Sequence, residues 1–211
     1  MSNVSGAVKS IQDIMRKDVG VDGDAQRISQ MVWMIFLKIY DDREDELELT
    51  EDGFTSPIPE RFRWRNWAQD REGITGDALV KFVEELFVTL KTQLPRIGEV
   101  GKRAQVIRDV FEDTYNYMKS GTLIRQVVNK INDIDFNSTA DRHTFGAIYE
   151  QILKDLQSAG NAGEFYTPRA VTKFIIDRLA PKLGSGLIDQ SQKMTVAAMQ
   201  MAYMKVCAHR S

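Results

Sequence analysis

The segment from Gly160 to Arg169 contains the residue types best suited to binding a small anionic group. Thr167 is a favoured helix N-cap, and Pro168 suits the first helical position, where its missing N–H costs nothing. Apolar residues then recur at helical spacing: Val171, Phe174, Ile175 and Leu179. The free N–H groups and the dipole at the start of such a helix favour a carboxylate or a phosphate. The pattern fits an anion site for a small cofactor, although an ordinary capped helix would carry the same residues.

Two aromatic residues precede the threonine–proline step, and the combination carries a family resemblance. The sequence Phe165-Tyr166-Thr167-Pro168 resembles the (F/Y)xTP motif, called motif X, of the modification subunits of type I restriction–modification enzymes. Those subunits are adenine-specific DNA methyltransferases that use S-adenosylmethionine. Two further pieces resemble the family: Phe36-Leu37-Lys38 followed by Asp41-Asp42, and Phe145-Gly146-Ala147-Ile148-Tyr149-Glu150. Their order and spacing match the N-terminal region of the family over residues 5 to 184.

The resemblance implies a cofactor role for this loop. In the family the loop folds over S-adenosylmethionine, so Phe165, Tyr166, Thr167 and Pro168 are the implied cofactor-binding residues. Thr167 would reach the methionine end of the cofactor, whose amine and carboxylate suit a hydroxyl and helix N–H groups. Either aromatic ring would help to enclose the cofactor.

After Leu183 the chain does not continue as the family does. In the family, motif X leads into a glycine-rich Asp-Pro-(Ala/Phe)-Cys-Gly-Thr-Gly-Gly loop that holds the cofactor, and later into an Asn-Pro-Pro-(Phe/Tyr) motif that grips the target adenine. Neither motif occurs in the 211 residues. We therefore expect no catalytic residue, no methyl transfer by this chain alone and only part of the cofactor site. A frameshift, a truncated gene or an appended tail would each produce this ending.

Helical periodicity dominates the chain, and strand-like alternation is almost absent. We expect an all-α bundle of about six to eight helices, without the catalytic Rossmann-like sheet. Three regions are predicted: an N-terminal helical bundle domain at 1–159, the motif X loop and helix at 160–184, and a helical, non-family tail at 185–211. Four of the nine methionines lie in that tail, between Met194 and Met204. A Met-rich helix of this kind either covers an apolar face or docks on a partner.

The first two helices have recognisable limits. A stripe of apolar residues predicts a first helix that ends near Gly20: Ala7, Ile11, Ile14 and Met15. A second helix starts at Asp24 and carries apolar residues on more than one side. It ends in a charged stretch, Asp41–Glu48, which is predicted to be a solvated helix end.

The following helices are predicted from the same signals. One covers Leu79–Leu90, and a loop containing Gly98 and Gly101 leads to a shorter helix after it. The sequence Ser120-Gly121-Thr122 is a helix start, because serine is a favoured N-cap. A serine–threonine pair at 138–139 caps a long helix beyond.

Basic and aromatic residues alternate in the stretch Arg61-Phe62-Arg63-Trp64-Arg65-Asn66-Trp67. Aromatic rings stack on bases and arginines hold phosphates, so Arg61, Arg63 and Arg65 are candidate DNA-binding residues. The alternative is an irregular linker whose tryptophans fill the bundle while its arginines face water. The family resemblance implies a structural role for a tryptophan in this stretch.

Composition limits the remaining possibilities. The net charge of −2 excludes a generic polyanion binder, so any DNA contact has to be local. Cys207 is the single cysteine, which excludes an internal disulfide framework and fits a reducing cytoplasm. With His143 and His209 as the two histidines, a usual four-ligand zinc site is not expected. No apolar run is long enough to span a bilayer and no signal peptide is recognisable, so we expect a cytoplasmic protein without a membrane partner.

The resemblance also implies partners. In the family, two modification subunits join one DNA-specificity subunit, and restriction subunits add to that complex. The catalytic domain methylates the exocyclic amino group of an adenine flipped out of double-stranded DNA, and the helical domain helps to clamp DNA and contacts the other subunits. The alternative function is a free-standing helical interaction module that binds the specificity subunit or DNA without catalysis.

Overall fold

The computed structural model describes residues 4–134, and every regular element in that range is helical. The α-helices there are α1 (Val4–Met15), α2 (Asp24–Thr50), α3 (Trp64–Trp67), α4 (Gly76–Thr92), α5 (Gly98–Phe111) and α6 (Gly121–Asn132). A 3₁₀ helix, Glu60–Phe62, precedes α3. No strand occurs between residues 4 and 134. The predicted all-α class is confirmed.

Helix α2 runs through the apolar core. Every side chain from Met31 to Leu37 is buried, so this part of the helix is covered on all sides, as its apolar residues predict. The Trp33 ring meets the Phe87 ring edge-on, with the centroids 5.1 Å apart. Phe87 in turn packs on Phe111 of α5, with the ring centroids 5.2 Å apart. Edge-to-face pairs of this kind add about 0.5–1.5 kcal/mol beyond the area that they bury.

Two buried polar side chains fix the loop between α5 and α6 to the N-terminal half of the fold. The Asp18 carboxylate accepts hydrogen bonds from the backbone N–H groups of Lys119 and Ser120, each at 2.9 Å. The Gln30 side chain donates to the backbone carbonyl of Tyr115 at 2.7 Å. Both residues thus supply hydrogen-bond partners for backbone groups of this loop.

Helices α4 and α6 begin side by side. A Cβ atom at Gly121 would lie 1.8 Å from the carbonyl oxygen of Gly76, so only glycine allows the two backbones to approach this closely. Gly76 itself has a φ of 59°, which also favours glycine. The Ser120 hydroxyl accepts from the N–H of Leu123 at 3.3 Å, which confirms the predicted N-cap of α6.

The start of α5 differs from the prediction. Gly98 and Gly101 were expected in a loop before the helix, but both lie in its first turn. Gly98 has a φ of 71°, and a Cβ atom at Gly101 would lie 2.5 Å from the carbonyl carbon of Arg96. These glycines therefore allow a sharp entry into the helix. The cap at 138–139 and the predicted limits at 159 and 184 lie outside the described residues and stay predictions.

Candidate functional site

The acidic end of α2 is partly buried, which corrects the prediction of a solvated helix end. Asp41 is 4 % exposed and Glu44 is 2 % exposed, whereas Asp45 and Glu48 reach solvent. Asp41, Glu44 and Glu48 follow one another at intervals of three and four residues, so they share one face of the helix. Buried carboxylates are costly unless cations or hydrogen-bond donors pair with them. The segment that carries the alternating arginines supplies those groups.

The aromatic residues of the arginine segment face the core. Trp64 and Trp67 are buried, and their rings meet edge-on with the centroids 5.1 Å apart. Phe62 is buried as well and packs on Phe82 of α4 at a centroid distance of 5.2 Å. Burial of each ring contributes roughly 2–3 kcal/mol to folding. The interpretation in which the tryptophans fill the bundle is confirmed, and their rings are not accessible to bases.

Arg65 binds three carboxylates of α2. Its Nε lies 3.1 Å from both carboxylate oxygens of Asp41, and its backbone N–H donates to the same carboxylate at 3.0 Å. Its Nη1 donates to Asp45 at 2.7 Å and to Glu48 at 2.9 Å. The guanidinium group thus makes a buried contact on one side and a solvent-facing contact on the other.

Arg63 binds the same face of α2. Its Nη2 donates to Glu48, and its Nε lies 3.7 Å from the Glu44 carboxylate and 3.8 Å from that of Asp41. Glu48 therefore accepts hydrogen bonds from both Arg63 and Arg65. The expectation that the arginines face water is wrong for these two, because the carboxylates of α2 pair with them.

Glu44 is the most enclosed carboxyl group of the cluster. It accepts a hydrogen bond from the Ser56 hydroxyl at 2.7 Å. Burial raises the pKa of Glu44 from 4.5 to about 7, while the Ser56 hydrogen bond and the charge of Arg63 act in the opposite direction. Burial, followed by the charge of Glu44, also raises the pKa of Tyr40 above its ordinary value. The cluster can therefore bind or release a proton at Glu44 near neutral pH.

Arg61 lies at the exposed edge of the segment and points to α4. Its side chain is 62 % exposed and donates to the Glu85 carboxylate at 2.5 Å. Its guanidinium carbon lies 4.2 Å from the centroid of the Phe62 ring. An exposed ion pair of this kind contributes about 0–1 kcal/mol. The structure thus places two of the three candidate arginines against α2 and the third against α4, and their contact with DNA stays a prediction.

A cleft of about 200 Å³ adjoins this cluster. Its lining includes Lys38, Asp42, Gln69 and Asn132, and the Lys38 ammonium donates to Asp42 at 2.5 Å. Within residues 4–134, no group of three or more histidine, cysteine or acidic side chains could hold a metal ion. In the same range, no helix has the length and hydropathy needed to cross a membrane.

The helical fold and the sequence both match known proteins. A family model described as the HsdM N-terminal domain matches residues 4–131. The chain belongs to the HsdM N-terminal domain family. A second model, described as N-6 DNA Methylase, matches residues 140–204. This second match crosses positions 159 and 184, where the limits of the motif X region are predicted.

Relatives that match most of this HsdM-family chain include subunits of type I restriction enzymes. The EcoEI methylase subunit of Escherichia coli is 60 % identical over 89 % of the chain, which spans 38 % of that protein. A type I modification subunit from Vibrio vulnificus YJ016 is 39 % identical, with a TM-score of 0.71 over 86 % of this chain and 41 % of that one. A solved chain of a type I system, described for its complex assembly and conformational transition, is 29 % identical, with a TM-score of 0.68 over 87 % of this chain and 36 % of that one. The chain thus spans about two-fifths of the length of these relatives.

The carboxylate face of α2 was not predicted from the sequence, although a signal for it exists. Leu37, Asp41, Glu44 and Glu48 follow one another at intervals of four, three and four residues, so the acids continue the helical face of a buried leucine. Carboxylates on such a face need cations, and the arginine segment is the nearest basic stretch. The predicted cofactor residues Phe165, Tyr166, Thr167 and Pro168 lie outside the described residues, as do both histidines and Cys207.

Proposed function

We propose that this chain is the N-terminal helical part of a type I modification subunit. In its complete form, this subunit methylates adenine at specific sites in DNA. The observation that carries the proposal is the order of the two family matches. The HsdM N-terminal domain at 4–131 is followed directly by the N-6 DNA Methylase match at 140–204. A helical domain that leads into a methylase sequence is the arrangement expected of such a subunit.

The complete subunit uses S-adenosylmethionine, and this chain contributes one part of the cofactor site. Phe165, Tyr166, Thr167 and Pro168 are the residues proposed to contact the cofactor, through a hydroxyl, free helix N–H groups and enclosing rings. The glycine-rich and Asn-Pro-Pro motifs are not in the sequence. The chain alone therefore transfers no methyl group and binds the cofactor weakly.

The partners of the chain are the DNA-specificity subunit and a second modification subunit, with restriction subunits joining the complex that these form. The helical domain contributes subunit contacts and helps to clamp double-stranded DNA. Arg61, Arg63 and Arg65 are the residues proposed to contact DNA, since arginines bind phosphates and the chain's net charge of −2 requires such contacts to be local.

Assembly with purified partners tests this function. The tagged full chain is mixed with the specificity subunit and the full-length modification subunit from the same source, and the complex is measured by size-exclusion chromatography with light scattering. We expect a complex with the specificity subunit that an unrelated helical protein with the same tag does not form. Absence of any complex at micromolar concentration would contradict the proposal.

A methyl-transfer assay tests the second part. Labelled S-adenosylmethionine and unmethylated duplex DNA are incubated with the chain alone and with the intact modification and specificity subunits. Incorporation of label into the DNA is expected with the intact subunits and not with the isolated chain. Transfer of label by the isolated chain would show that its proposed inactivity is wrong.

A further inference from the structure

Three arginines occupy alternate positions in the segment that precedes and includes the start of α3. We call Arg61, Arg63 and Arg65 the arginine surface. The residues between them, Phe62 and Trp64, are buried in the core. The guanidinium groups therefore lie outside the apolar core, those of Arg63 and Arg65 against α2 and that of Arg61 beside Glu85 of α4.

The contacts of the arginine surface fall into an inner and an outer set. On the inner side, Asp41 is buried and accepts from the Nε and the backbone N–H of Arg65. On the outer side, Asp45 accepts from Arg65, and Glu48 accepts from both Arg65 and Arg63. The side chains of Asp45 and Glu48 are 66 % and 33 % exposed. We call Asp45 and Glu48 the acidic cover.

A phosphate group can take the place of the acidic cover while the inner contacts remain. Carboxylates and phosphates offer a guanidinium group the same pair of acceptor oxygens. The carboxylates of these pairs reach solvent while the arginines are mostly covered, so salt screens the pairs in part and their exchange requires less free energy than that of a fully buried pair. A duplex offers many such phosphates, and arginines that bind them release condensed counterions.

We infer that the arginine surface binds the phosphate backbone of duplex DNA and that the acidic cover blocks Arg63 and Arg65 in the free chain, while Arg61 stays exposed beside Glu85. This inference rests on the proposed function, in which the helical domain contacts DNA. The two carboxylates act as internal competitors, since each occupies the place of a phosphate. Because Trp64 and Trp67 are buried, the surface contacts phosphates rather than base faces, and it binds duplexes irrespective of sequence.

Two double variants of the full chain test the inference. Asp45→Asn with Glu48→Gln removes the acidic cover, and Glu51→Gln with Asp52→Asn removes the same charge from exposed residues at the same helix end. Within residues 4–134, neither Glu51 nor Asp52 pairs with an arginine. The affinity for a fluorescent duplex is measured by anisotropy over a range of salt concentrations.

Removal of the acidic cover is expected to tighten duplex binding about tenfold and to steepen the salt dependence by about one to two units of slope. The control variant is expected to stay within about twofold of the wild type, because its charges are separated from the arginines by screening solvent. Addition of Arg61→Ala to the variant without the cover is expected to weaken binding about fivefold. Arg61 suits this test because its exposed pair with Glu85 contributes little to the fold.

Equal affinities of the two double variants would overturn the inference, since bulk charge alone would then account for binding. No duplex binding by the variant without the cover, or equally tight binding of polyglutamate, would also overturn it. Circular dichroism melting checks each variant. If the double variant melts early, Glu48→Gln alone is used, and it is expected to tighten duplex binding about threefold.

The assembly experiment separates this inference from the proposed function. If the chain joins the specificity subunit but gains no duplex affinity when the acidic cover is removed, the inference about the acidic cover is refuted and the proposed function is not. A chain that fails to join the specificity subunit refutes the proposed function, whatever its affinity for DNA.

Discussion

Arg125 and Arg65 each join the region around α3 to another helix, and they do so through different kinds of acceptor. Arg125 reaches this region from α6, and Arg65 reaches from it to α2. Arg125 of α6 is buried, and its guanidinium group donates to the backbone carbonyls of Trp67, Ala68, Asp70 and Ile74. Arg65 is partly exposed and binds the carboxylates of Asp41, Asp45 and Glu48. Arg125 thus pairs with neutral backbone carbonyls, whereas Arg65 pairs with charged carboxylates.

The difference separates a structural arginine from an exchangeable one. Burial lowers the pKa of Arg125, and the charge of Asp70 acts in the opposite direction, so this guanidinium group is held mainly by carbonyl oxygens. The Ala68 carbonyl also accepts from the Asn132 side chain and that of Asp70 from the N–H of Gly73, so the loss of Arg125 would remove the donor chiefly from the carbonyls of Trp67 and Ile74. Asp45 and Glu48 reach solvent, so they stay hydrated when their contact with Arg65 breaks. A phosphate can then take their place on Arg65.

The largest effect is expected for Arg125→Met. The substitution removes the donors of the Trp67 and Ile74 carbonyls and two further hydrogen bonds, so the free energy of unfolding is expected to fall by about 4 kcal/mol. Urea denaturation followed by circular dichroism measures it. Arg71→Met is the control, because Arg71 is exposed and pairs with Asp133 at the surface. A loss no greater than that of the control would remove the distinction between the two arginines.

A smaller effect is expected for Gly121→Ala, which alters the same region without a change of charge. The added Cβ atom would meet the Gly76 carbonyl oxygen at 1.8 Å, and overpacking of this kind costs about 3 kcal/mol. Gly23→Ala is the matched control, since nothing lies within 4 Å of its Cβ position. The expected loss for Gly121→Ala is independent of salt. A loss that shrinks at high salt would show that charges contribute to this contact.

Glu44 gives the charged region a dependence on pH. Its folded pKa of about 7 exceeds the ordinary 4.5, so the folded chain binds this proton more tightly than the unfolded chain. The resulting stability is complete below pH 4.5 and is lost as the pH rises through about 7, with a total on the order of 3 kcal/mol. Burial is the main cause of the raised pKa and the charges of Asp41 and Glu48 add to it, whereas the Ser56 hydrogen bond and the charge of Arg63 oppose it.

Denaturation of the wild type and of Glu44→Gln from pH 5 to 8 measures this slope. The wild type is expected to lose stability relative to the variant as the pH rises. Glu46→Gln is the control, because Glu46 is exposed and pairs with Arg43 on its own helix. Parallel pH profiles of the wild type and Glu44→Gln would show that Glu44 does not titrate in this range.

The helices were predictable because each depends on local pattern. The buried run Met31–Leu37 and the cap at Ser120 follow from apolar spacing and from a residue type with one strong preference. Gly98 and Gly101 were misread because a glycine marks both a loop and a sharp helix entry, and the distinction depends on a contact with Arg96 that local sequence does not contain.

The charged cluster was half predictable for a related reason. The sequence left Arg63 and Arg65 either in contact with phosphates or facing water, and their carboxylate partners depend on which helix end lies beside them. Those contacts join residues 15 to 24 positions apart. Periodicity reports which face of a helix is buried, and it does not report what the face meets.

The smallest effect is expected for Glu48→Gln. The variant loses charge-assisted contacts with Arg63 and Arg65, yet Asp41 still faces both guanidinium groups and Glu44 still faces that of Arg63. Because the lost pairs are partly exposed, the free energy of unfolding is expected to fall by less than about 1 kcal/mol, and the difference is expected to vanish near about 0.5 M salt. Thr50→Ala, at the exposed end of the same helix, is the control for a change without charge. A salt-independent loss comparable to that of Arg125→Met would mean that Glu48 is as structural as the carbonyls around Arg125, and the arginine surface would then be closed to phosphate.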